Sequence, residues 1–242
     1  MTDAGDRDRA PPWGIVATCG WMLAAFLLAL AAAAIAYSLW FGPGATPATQ
    51  PYDGVGLAVA SFVMFPLEVA ILAMAARWRG WSAADYFALN VPRRGEVVMA
   101  AACTLALIFA VNGLLYLTGK DIVSPFQVEA YRTAKDAGWL VWTMLAIVVV
   151  APVGEEIAFR GFMYRGLARP GSEIPAIMVI ALVWSLLHIQ YDWVGMLQIF
   201  AIGLLFGWFR WASGSTTLTI LMHVLVNLES MIETAIKVEM SS

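Results

Sequence analysis

Polar positions in this chain are confined to short intervals, and the apolar blocks between them are too continuous for the one-sided stripe of a surface helix. A hydrocarbon core about 30 Å thick takes roughly 20 apolar residues of helix to cross, and the blocks meet that requirement. Seven spans are predicted: Gly14–Phe41, Val55–Ala76, Val97–Thr118, Trp139–Arg165, Ile174–Ile189, Trp193–Trp211 and Thr217–Ile236, with eight the upper count. The fifth is short and reads alternatively as one arm of a hairpin with the sixth, dipping only part-way into the membrane. The expected fold class is all-α, a polytopic transmembrane helical bundle. A single membrane domain over residues 1–242 is expected, with residues 1–13 as its short cytoplasmic N-terminal segment.

The intervals orient the bundle. Phe41–Gly54 is rich in Pro, Gly and Thr and has no basic residue, so it reads as an external loop. Lys120–Gly138 is amphipathic and is expected on the outer surface. Arg77–Gly95 carries Trp78, Trp81, Tyr86 and Phe87 among four arginines, the pattern of an interfacial helix on the cytoplasmic face. With the N-terminus in the cytoplasm, Arg7, Arg9, Arg77, Arg79, Arg93, Arg94, Arg160, Arg165, Arg169 and Arg210 fall on or near that side, and Lys120, Arg132, Lys135 and Lys237 on the other. Ten against four satisfies the positive-inside rule, predicting N-in and C-out in an integral membrane protein, with a bacterial inner membrane the expected location. The leading segment sets Arg7 and Arg9 against Asp3, Asp6 and Asp8, too mixed for an ordinary signal peptide. Ala-Ile-Ala-Tyr at 34–37 keeps cleavage as the alternative.

Composition agrees with the pattern. The charged fraction is 13%, half the roughly 25% of soluble domains, and 61% of residues are hydrophobic. The net charge of −3 comes with no basic patch, which excludes nucleic acid as a partner; the lipid bilayer is the expected one. Cys19 and Cys103 each fall within a span and read as small buried packing residues.

Against this background Glu155, Glu156 and Arg160 stand inside a predicted span, and the two histidines, His188 and His223, lie in apolar segments. Ionisable side chains at membrane depth cost several kcal/mol each and mark functional sites. Neighbours on a helix point about 100° apart while residues four apart share a face, so Glu156 pairs with Arg160 and Glu155 is left to meet another helix. Pro152 lacks the N–H that would bond to the Val148 carbonyl, and Gly154 follows, so a kink is expected just before the carboxylates. His223 and Asn227 share a face as well. Counted at ~1.5 Å per residue from the cytoplasmic helix ends, Glu155 lies ~15 Å deep, His188 ~21 Å, His223 ~9 Å and Asn227 ~15 Å. They can share one layer if their helices are neighbours.

Peptide-bond hydrolysis fits these groups. A partly desolvated carboxylate beside an imidazole serves as general base toward water, and a His–Asn pair can donate to the oxyanion of a tetrahedral intermediate. Neither a Gly-x-Ser-x-Gly nucleophile nor a His-Glu-x-x-His zinc helix is present.

Glu155-Glu156-xxx-Arg160, then aromatic-xxx-His188, then His223-xxx-Asn227, in this order on separate helices, resembles the CPBP (CAAX protease and bacteriocin-processing, or Abi) family of intramembrane glutamate proteases. The resemblance covers about residues 139–230, which would be the catalytic core. It implies that Glu155 and His188 activate water, that His223 and Asn227 form the oxyanion site, and that Glu156 and Arg160 support them. Trp184 departs from the phenylalanine usual in the second motif, a bulkier ring that could reshape the pocket. Two questions come with the resemblance. A metal-free mechanism and a zinc held by Glu155, His188 and His223 are both open. So is the substrate, a membrane-anchored peptide or protein that is prenylated in some members of the family.

Other readings stand beside this one: a proton- or ion-coupled transporter using Glu68 and the site carboxylates as a relay, and a catalytically silent membrane scaffold of the same fold. No repeat-related halves favour the transporter. Glu68 is expected to be a buried hydrogen-bonding residue, Glu229 and Glu233 a solvated face, and Gly203-xxx-Gly207 a close helix contact. The eleven tryptophans are expected at span ends as interfacial anchors.

Overall fold

The computed structural model describes residues 13–42 and 53–241. The leading segment with Arg7 and Arg9, and most of the Phe41–Gly54 loop, lie outside the described residues. Nine helices form, and no strand is present among the described residues, as the all-α reading requires. They are α1 (Ile15–Phe41), α2 (Gly54–Trp78), α3 (Ala83–Tyr86), α4 (Arg94–Leu117), α5 (Pro125–Asp136), α6 (Leu140–Leu167), α7 (Glu173–Leu186), α8 (Trp193–Ser213) and α9 (Thr216–Glu239).

Six helices (α1, α2, α4, α6, α8 and α9) are long and apolar enough to cross a membrane, and only 22–33% of each is buried within the bundle. Most of their apolar surface therefore faces outward, which is stable only in lipid. Cys19 and Cys103 belong to that outward surface. They are free and exposed, which corrects the expectation that they are packed inside.

The predicted fifth span, Ile174–Ile189, is shorter than expected. Its helix α7 has 14 residues, about 21 Å, because Leu187 caps it and His188 turns back to bond its N–H to the Ser185 carbonyl. The polar connection to Asp192, the N-cap of α8, completes the passage. Where α7 and α8 pack, a Cβ at Gly207 would stand 2.5 Å from Ile177, and one at Gly203 would stand 3.0 Å from Ala181. Only glycine allows that approach, as the Gly-xxx-Gly spacing predicted.

Contacts sort the helix ends into two groups. At one end Arg79 lies over Trp13, Arg165 donates to the Asp85 carbonyl (2.7 Å), and the Thr216 N–H bonds to the Ala88 carbonyl. At the other, the Gly54 N–H bonds to Thr133 of α5, Lys135 pairs with Glu239, Lys237 pairs with Asp121, and Tyr191 packs edge-on against Phe126. Residues 13 and 241 thus belong to opposite ends of the bundle.

The interval Arg77–Gly95 is not one interfacial helix. Gly80 (φ 75°) and Ala88 (φ 53°) break it, leaving the single turn α3. Of its aromatic residues Trp78 is exposed, but Trp81, Tyr86 and Phe87 are buried, and Tyr86 and Phe87 pack on Phe162 of α6. Burial pushes the Tyr86 phenol up to about 12, against the opposing pull of Arg165 and Arg169. Lys120–Gly138 does hold an amphipathic helix, α5, with Pro125 at its first turn and a Ser124–Gln127 capping box.

Candidate functional site

Helix α6 carries the carboxylates, and its backbone is unusual around them. Two stretches, Ala146–Val150 and Ile157–Met163, are wound as π-helix on either side of the regular turns Ala151–Glu156. A π turn widens the helix and recurs at functional sites. Here one accommodates Pro152, whose ring would clash with the carbonyl four residues back in a regular helix. The predicted kink is thus resolved as a change of winding. Gly154 does the rest: a Cβ there would stand 2.5–2.7 Å from Phe65, so its absence lets α2 lie directly on α6. That contact brings Glu68, one turn beyond Phe65, close enough to Glu155 for their charges to interact.

Glu155 and Glu156 diverge as the helical angle requires. Glu156 is fully buried; its Oε1 accepts from Arg160 Nη1 and pairs with His223 Nδ1, both at 3.0 Å. Arg160 continues to the Gly203 carbonyl (3.3 Å) and lies over the Trp184 ring at 4.4 Å. Arg210 in turn donates from Nε to the Arg160 carbonyl (2.9 Å), tying α8 to the wide part of α6. The expected Glu156–Arg160 pair is therefore present, extended to His223 and to α8.

Glu155 faces a cavity of about 840 Å³ that also receives Glu68, His188, His223 and Asn227. Its Oε2 accepts a 2.6 Å hydrogen bond from Trp184 Nε1. Trp184 is 3% exposed and its ring stands edge-on to both His188 (5.1 Å) and His223 (5.3 Å). It is neither an interfacial anchor nor a bulky substitute for phenylalanine, because it supplies an N–H that phenylalanine lacks. His188, half-buried just past the end of α7, bonds through Nδ1 to the Trp184 carbonyl (2.8 Å). A carbonyl only accepts, so Nδ1 carries the proton and Nε2 is left with a lone pair. His223 is held the same way, Nδ1 toward the Glu156 carboxylate, with Nε2 as its remaining ring nitrogen. Asn227 donates from Nδ2 to the carbonyl of Ile147 in the first π stretch (2.8 Å), so one of its two amide hydrogens is already engaged.

Glu229, Glu233, Asn112 and Tyr191 were not assigned to the cavity from sequence. Glu229 and Glu233, expected on a solvated face, line it, and Asn112 of α4 donates to Glu233 Oε1 (2.8 Å). Tyr191 lines it beside His188; burial and then the charge of Glu155 raise its phenol, so it stays a hydrogen-bond donor. Glu68 is also not the hydrogen-bonding residue it was expected to be: it is 4% exposed, and no hydrogen bond joins it to any described residue. Only the helix pairing of the folded bundle reveals these placements.

Glu155, His188 and His223 are not gathered into one cluster of donors. Among the described residues no three His, Cys, Asp or Glu side chains are grouped to hold an ion.

No curated protein and no solved structure matches the chain. A protein-family comparison does find a match: residues 137–228 fit the family described as Type II CAAX prenyl endopeptidase Rce1-like. That stretch runs from the start of α6 to just past Asn227 on α9, and it contains the carboxylates, both histidines and Trp184. Over this core the chain is similar to the CPBP family of CAAX-type intramembrane proteases.

Proposed function

We propose that this protein is an intramembrane endopeptidase hydrolysing a peptide bond near a membrane-anchored C-terminus. The observation that carries the reading is the Glu155 carboxylate, one oxygen held by the Trp184 indole, facing a cavity shared with His188. A water lodged between Glu155 and His188 Nε2 gives its proton to one of them as its oxygen adds to the scissile carbonyl carbon. The resulting oxyanion is received by a doubly protonated His223, its Nδ1–H on the Glu156 carboxylate and its Nε2–H on the oxyanion, and by the second amide hydrogen of Asn227. Collapse breaks the C–N bond, and the abstracted proton passes to the leaving amine. Glu156 and Arg160 hold the two halves of the site in register rather than touching substrate.

The orientation supported by the arginines is N-in and C-out. Arg77, Arg79, Arg93, Arg94, Arg165, Arg169 and Arg210 all belong to the end marked by Trp13 and α3, while α5 and the cavity mouth at Lys120, Phe126 and Asp192 belong to the other. The chamber then opens on the external side.

The test is cleavage of fluorogenic CAAX peptides, farnesylated and bare, by the purified detergent-solubilised protein beside Glu155→Ala. Turnover that disappears in the variant supports the endopeptidase. Turnover that persists in Glu155→Ala overturns the assignment of the base. If well-folded protein cuts neither peptide, prenyl-CAAX specificity is rejected. Ion flux in proteoliposomes abolished by Glu155→Ala would favour a transporter.

A further inference from the structure

We infer that the cavity wall formed by Glu229, Glu233 and Asn112, in the cavity that Glu68 also lines, is a subsite for a cationic side chain of the substrate, a lysine or arginine close to the scissile bond. The inference rests on the reading of the cavity as a peptidase chamber and names the class of peptide it takes.

Glu229 and Glu233 stand four apart on one face of α9, half-buried, and both line the cavity. Like charges at that spacing repel unless a proton or a cation lies between them. Asn112 donates to Glu233, which fixes the pair in place but brings no charge. Glu68 is the independent observation. It is a carboxyl group 4% exposed, facing the same cavity, with no hydrogen bond or ion pair to any described residue. A carboxylate buried this way is expensive unless something supplied from outside the chain completes it.

Among the described residues no salt bridge joins a lysine or arginine to Glu68, Glu229 or Glu233, although Lys120 also lines the cavity. Lys135 is bonded to Glu239 (2.6 Å), Lys237 to Asp121 (2.9 Å), and Lys120 lies against the Trp193 ring (5.4 Å). Lysine or arginine from a bound peptide is the counter-charge the wall lacks. It would form charge-assisted hydrogen bonds in a site walled by apolar helices. A peptide presenting a carboxylate to this wall meets repulsion instead.

Geometry sets where the basic residue stands. Glu233 lies six positions beyond Asn227, ~9 Å along the helix toward the mouth, the span of about three residues of extended peptide. The favoured lysine or arginine therefore falls within about three residues of the scissile bond on the side facing the mouth.

The experiment compares matched fluorogenic peptides with lysine, arginine, norleucine or glutamate at each position within three of the scissile bond. It uses the purified full-length protein and its Glu229→Gln, Glu233→Gln and double variants, each checked by thermal unfolding. Binding of the same peptides to Glu155→Ala is followed in parallel by fluorescence anisotropy. At one position lysine or arginine should exceed norleucine by about tenfold or more in kcat/KM and in affinity, the effect of a charge-assisted hydrogen bond. In the double variant that ratio should fall toward one. A ratio near one in the wild type, or a preference unchanged by the double substitution, overturns the subsite. If the wild type cuts none of the peptides, the peptidase reading fails on its own, and the binding ratio still decides whether the wall recognises a cation.

Discussion

Replacing Glu156 or Arg160 by glutamine tests whether the centre of the site is held by charge. The two groups lie 3.0 Å apart at exposures of 0% and 1%, with His223 on the same carboxylate oxygen. Either single substitution leaves the remaining charge buried without its main partner, which costs about 3–5 kcal/mol. For a chain of this length that corresponds to a fall of roughly 6–20 °C in Tm. The double variant leaves two neutral amides that can bond to one another, so its loss should fall short of the sum of the singles. An effective dielectric near 20 puts the coupling at about 4 kcal/mol for charges roughly 4 Å apart. Glu156 Oε2 and Arg160 Nε have no hydrogen-bond partner, so the pair is not fully satisfied, and this figure is an upper value. The assay is a double-mutant cycle on thermal unfolding in one detergent. Additive losses, or single variants within about 1 kcal/mol of wild type, would refute the argument that this ion pair organises the core.

Trp184→Phe keeps the aromatic contacts with both histidines and removes the 2.6 Å bond to Glu155, so kcat should fall about ten- to a hundredfold with Tm nearly unchanged. An unaltered kcat would mean that the indole N–H does not position the carboxylate. Gly154→Ala places a Cβ against Phe65 and should cost about 1–3 kcal/mol through separation of α2 from α6, with Phe65→Ala in the same background restoring stability. Failure of that rescue would move the fault elsewhere in α6. Because the donors do not converge on one point, o-phenanthroline should leave turnover within about twofold; inhibition reversed by added zinc would contradict this reading of the site.

The periodicity of the chain located the helices well because lipid imposes one requirement on every residue of a span. The boundaries of α1, α2, α4, α6, α8 and α9 fall within a few residues of the apolar blocks that predict them. Helical angles alone separated Glu155 from Glu156 and paired Glu156 with Arg160, since both relations are local to one helix. What each group faces across the bundle was not legible. Trp184 looks in sequence like another anchor, Glu68 like a hydrogen-bonding residue, and Glu229 and Glu233 like a wetted face. The positions of their side chains depend on close approaches set by Gly154, Gly203 and Gly207, and on the two π turns of α6. The short α7 escaped for a related reason, because the apolar run continues to Ile189 while its backbone turns at His188. Hydrophobicity by itself determined that this chain lives in a membrane as a bundle of helices. Only tertiary packing decided which polar groups share a cavity, because hydrogen bonds between helices depend on ångström-scale approach, and hydropathy carries no information about that distance.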